Sequence, residues 1–87
     1  MQIDKEKVHQ RLFEVSKRAE EKLSDNDLLL LARKVGPNRN HDGKSREQIV
    51  GYLFIDLTNL WLKRNWEQLL PVISSLEILL DPNQSVQ

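Results

Sequence analysis

The chain has 87 residues, thirteen Lys and Arg against thirteen Asp and Glu, and no cysteine. A single domain of this length buries little more than ~60% of its unfolded surface, and without cysteine neither a disulfide nor a cysteine zinc site can reinforce it. A net charge of zero supplies no global field toward nucleic acid or anionic lipid.

A first helix is predicted from about Asp4 to Leu23. Val8, Leu12, Val15, Ala19 and Leu23 recur at helical steps, Asp4 suits the N-cap, and Ile3 with Val8 forms a hydrophobic staple. Phe13 falls off that stripe. A second helix starts at Ser24, where Ser24 and Asp27 approximate a capping box and Leu23 and Leu28 a second staple. Leu28 to Leu31, Ala32 and Val35 make it largely apolar, and Gly36-Pro37 ends it. So short a joint predicts that the two helices fold back as a tight hairpin.

Residues 36–45 are turn chemistry throughout. A third helix opens at Ser45, with Gln48 completing a capping box, and runs to about Arg64. Gln48, Tyr52, Asp56, Asn59 and Lys63 fall on one narrow face, which marks this as the central helix. In the fourth segment Leu69, Val72, Ile73, Leu76, Leu79 and Leu80 keep helical spacing. Pro71 predicts a short turn at 66–69, followed by a helix with the proline in its first turn, ending before Asp81-Pro82. The expected fold is therefore all-α: a compact antiparallel bundle of four main helices with room for one extra short helix or turn. Its domain spans residues 1–80, and 81–87 form a flexible tail.

Candidate chemistry is sparse. Gly43-Lys44-Ser45 before a helix resembles a phosphate loop, but Asn38 stands where that motif needs glycine and no strand precedes it. His9 and His41 lie in separate segments without cysteine companions, so no metal site is expected. Ser16, Ser74 and Ser75 have no partners for a nucleophilic triad. The expectation is a protein that is no enzyme and takes no cofactor, metal or small-molecule substrate. The charged N-terminus does not read as a signal peptide, and Asp56, Asn59, Lys63 and Arg64 interrupt the densest apolar run. The expected setting is the reducing cytoplasm, with no membrane partner.

Charge and apolar surface carry the functional reading. Residues 1–27 hold six bases and seven acids, 28–64 seven bases and three acids, and 65–87 three acids and no base. A basic middle and an acidic end suit association between copies or with a similar module. Between Ile49 and Leu80 the apolar residues exceed what a small core needs; Phe54, Ile55 and Leu62 cannot all face the side of Leu53, Leu57 and Leu60. The predicted function is a non-enzymatic protein–protein interaction module, a small adaptor, regulator or complex subunit, binding a protein partner or forming a homo-oligomer. Candidate contacts are the basic residues Arg33, Lys34, Arg39, Lys44 and Arg46 and the aromatic residues Phe54, Trp61 and Trp66. The alternative is nucleic-acid binding through the basic stretch 33–46.

The layout of LSDNDLLLLARKVG (Leu23–Gly36), SREQIVGYLFIDL (Ser45–Leu57) and NWEQLLPVISSLEIL (Asn65–Leu79) resembles the death-fold superfamily, especially caspase-recruitment and death-effector modules. The resemblance implies a six-helix bundle and homotypic association through charged patches. Four helices are legible here. Where death-effector modules carry Arg-x-Asp-Leu, this chain reads Phe54-Ile55-Asp56-Leu57, so Asp56 and Leu57 alone carry over.

Overall fold

The computed structural model describes residues 3–81, and the expected tail after Asp81 lies outside the described residues. Four helices follow one another there without a strand: α1 (Lys5–Lys22), α2 (Asp25–Val35), α3 (Arg46–Leu62) and α4 (Trp66–Leu80). Three start where short polar side chains accept from orphan amides. Asp4 accepts from the Glu6 and Lys7 N–H groups, Ser24 from Asp27, and Ser45 from Gln48, whose side chain returns the bond to Ser45. For Ser24 the capping is one-sided.

Leu12, Leu28, Leu53, Leu57, Leu69, Ile73 and Leu76 are sealed completely, so all four helices feed one core. The stripe Val8–Leu12–Val15–Ala19 lines it from α1, as the spacing predicts. Helix α3 touches each of the other three, and α1 also packs on α4. The expected α1–α2 hairpin does not form as a packed pair. Leu23 and Ser24 are both extended, and α2 makes its main contacts with α3 instead.

The start of α4 corrects the sequence expectation. The helix begins at Trp66 and runs through Pro71, with no turn at 66–69. Leu69 is fully buried and shares its face with Val72, Ile73 and Leu76, so the core holds residues 66–70 in helical register. Pro71 sits on the solvent side, where it lacks only the bond its N–H would have given to Glu67.

The joint before α4 is tight. The Asn65 N–H reaches back to the Leu60 carbonyl and the Arg64 N–H to Trp61, with Arg64 in the left-handed region at φ 56°. This is the helix-terminating arrangement that glycine usually occupies.

Candidate functional site

The three arginines of the basic stretch form ion pairs within the chain. The Arg33 guanidinium donates to Asp42 at 2.9 Å, and Arg39 forks onto both carboxylate oxygens of Asp56 at 3.1 and 2.8 Å. Arg39 also lies 4.7 Å from the Tyr52 ring centre. Arg46 turns inward as a clamp. It donates to the carbonyls of Ala19, Glu20 and Leu23 at the end of α1 and to the Asp25 carboxylate at the start of α2. A guanidinium suits this work because its fork of donors can satisfy several acceptors left bare at a helix end. Lys34 and Lys44 remain exposed and form no ion pair among the described residues. Arg11 adds a fourth pair, to Glu77, tying α1 to α4.

Hydrogen bonding to its carboxylate raises the pKa of Arg39 above the ordinary arginine value, and the bond to Glu77 does the same for Arg11. A raised value favours the charged form in the fold. That contribution is complete below the ordinary arginine value and is lost only as pH climbs through the raised one.

Two polar residues of α3 that the sequence placed on an outer face lie beneath the 36–45 loop. Asp56 keeps only 14% of its side chain exposed, under Arg39. Tyr52 packs edge-on against His41, which is itself buried, with an Nε2 that has no hydrogen-bond partner. His41 lines a cleft of about 240 Å³ with Leu28, Leu29 and Ile49. No group of three His, Cys, Asp or Glu able to hold a metal occurs among the described residues.

The aromatic candidates separate. Trp66 is half-buried against the core at the start of α4. Trp61 lies against the start of α1: its Nε1 donates to the Lys5 carbonyl at 2.9 Å, the Lys5 Nζ stands 4.5 Å from its ring centre, and the His9 ring is 4.6 Å away. His9 is thus half-buried. Phe54 meets Phe13 edge to face at 6.5 Å.

These contacts order one side of the molecule. The start of α1 lies on the end of α3 at Lys5 and Trp61, the middles meet at Phe13 and Phe54, and the end of α1 reaches the start of α3 at Glu20 and Glu47. Between the helices runs a groove of about 360 Å³. Phe13 and Phe54 wall it, Val50 and Gly51 line it from α3, and Lys17, Glu20 and Glu47 also line it. A Cβ built on Gly51 would meet nothing within 4 Å, so the glycine leaves a real notch. Phe13 is 53% exposed, and the apolar surface continues along α3 through Ile55, 49% exposed, to Leu62, 58% exposed.

Gly51, Ile55, Thr58 and Leu62 follow at steps of four, three and four, which places them in one line on α3, opposite Ile49, Leu53 and Leu57. The surplus inferred for Ile55 and Leu62 therefore lies at the surface. Phe13 was signalled by its place off the α1 stripe. Gly51 was missed, although a helical wheel centred on Ile55 would have placed it there. Comparison with family models, curated proteins and solved structures yields no match to this chain.

Proposed function

We propose that the chain is a protein-docking module, an adaptor or complex subunit, whose working surface is the α1–α3 face. The observation that carries this reading is the row of exposed apolar side chains from the Phe13–Phe54 groove through Ile55 to Leu62 on one side of the molecule. Burying a Leu or Ile side chain fully is worth ~1.5–3 kcal/mol, and about half of that is left unclaimed at each of these two positions. A small domain keeps such a line where a partner covers it. The arginines of the basic stretch do not compete for this role, since they pair within the chain and leave Lys34 and Lys44 as its free cations among the described residues. Two free lysines would neutralise few phosphates of a nucleic acid, so its binding through this stretch would be weak at physiological salt.

A photo-crosslinking amino acid placed in turn at Phe13, Ile55 and Leu62, in the cell that makes the protein, tests the reading. Protein adducts should concentrate at these three positions and be scarce at Asn26 and Lys44, which lie on other elements. Equal labelling at all five positions would refute it.

A further inference from the structure

We infer that the α1–α3 face pairs with the same face of a second copy, α3 against α3 in opposite directions. The inference rests on the docking reading and names the partner. In an antiparallel pair, residues whose numbers add to a constant stand opposite one another. Setting Leu62 of one copy over Gly51 of the other fixes that constant, and Ile55 then stands over Thr58.

Each contact joins a large side chain to a smaller one. Leu62, 58% exposed, is a knob without a hole in its own protomer. Gly51 is a hole without a knob, open above its Cα and flanked by Phe13 and Phe54. Two-fold symmetry makes the Leu62–Gly51 contact twice, about 16 Å apart at 1.5 Å per residue. A parallel pair would stack Leu62 on Leu62 and leave both notches empty.

The charges choose the same direction. The Gly51 end of the face carries Glu20 and Glu47 against the one base Lys17 that lines the same groove. The Leu62 end carries Lys5 over Trp61, with Lys63 and Arg64 in the turn that follows α3, against the acids Asp4 and Glu6. Antiparallel pairing brings each acidic end to a basic one, and parallel pairing opposes like charges. A face two helices wide and as long as α3 gives a footprint of roughly 500 Å² per copy, close to the smallest total of ~1,000 Å² that sustains a specific interface. The pair should therefore be weak and concentration-dependent.

Sedimentation equilibrium of the whole chain, from low micromolar to about 1 mM, tests this with a paired set of variants. Wild type should pass from monomer to dimer across that range. Gly51→Leu fills the notch, and because nothing lies within 4 Å of its Cβ the monomer should fold normally, with an unchanged helical CD spectrum. Its dimer should weaken by ~30-fold or more, the scale of a central contact. Adding Leu62→Ala moves the knob to the other side of the contact, and the double variant should return to within ~3-fold of wild type. A wild type that stays monomeric at about 1 mM, or a Gly51→Leu variant that dimerises as wild type does, would overturn the self-pairing. Crosslinks from Ile55 to a different protein would then leave the docking reading standing, whereas uniform labelling would remove that too.

Discussion

Replacing Arg46 by methionine keeps an unbranched apolar stem and removes the fork that ties three helices. In the folded chain this guanidinium meets carbonyls of Ala19, Glu20 and Leu23 and the carboxylate of Asp25. The Asp25 side chain is 86% exposed, so that ion pair contributes at most ~1 kcal/mol. The bonds to Ala19 and Leu23 are partly buried. A hydrogen bond from a charged donor is worth ~1.5–3 kcal/mol, and halving it for partial exposure leaves roughly 1.5–3 kcal/mol for the two. A cation at the C-terminal end of α1 adds ~0.3–1 kcal/mol through the helix dipole.

Arg46→Met should therefore lose about 3 kcal/mol, against a total of ~4–13 kcal/mol for a domain of this length. Asp25→Asn should lose less than ~1 kcal/mol. Arg46→Lys keeps the charge but not the fork, and should recover no more than about a third of the loss. Urea unfolding followed by far-UV circular dichroism measures all three, and the Met variant should melt ~12–20 °C lower. A loss below ~1 kcal/mol for Arg46→Met, or an equal loss for Asp25→Asn, would show that the carbonyl cluster contributes little and that the reasoning fails.

Two further substitutions test the loop and the last helix. A Cβ at Gly36 would stand 2.2 Å from Asp56 Oδ2, while the backbone there, at φ −123°, suits any residue. Gly36→Ala should thus displace the carboxylate from the Arg39 fork and lose ~1–2 kcal/mol, and a double-mutant cycle with Asp56→Ala should show coupling of at least ~1 kcal/mol. Additive effects would mean that the clash is relieved elsewhere. Pro71→Ala restores the missing N–H bond to Glu67 on an exposed helix face and gives up ~0.5–1 kcal/mol of restriction on the unfolded chain. The net expectation is a gain of ~1–2 kcal/mol in the same urea assay, and a loss would mean that the proline supports the helix start rather than being tolerated there.

What could be read from the sequence was local. Asp4, Ser24 and Ser45 announce their helices because an N-cap bond spans two or three residues. The α1 stripe is legible because every fourth or third residue meets the same core. Pro71 misled because its penalty is local, while the demand that overrides it comes from Leu69 packing into a core built by all four helices. The pairing of the basic stretch was out of reach for the same reason. Counting charges by segment cannot see that Arg39 reaches Asp56, seventeen positions on, or that Arg46 reaches back to Asp25. Arg33–Asp42 and Arg39–Asp56 close within the 28–64 segment, so its excess of bases persists in Lys34, Lys44, Lys63 and Arg64. The apolar surplus was visible in the composition of α3, but its meaning depended on which residues the loop covered. Asp56 and Tyr52 lie beneath residues 36–45, Ile49, Leu53 and Leu57 face the core, and Ile55 and Leu62 are left outward on the line of Gly51. Ile49, Leu53 and Leu57 hold the opposite side of α3 in the core, so a variant that frees Arg39 should leave Ile55 and Leu62 facing outward and the proposed docking at Leu62 undisturbed.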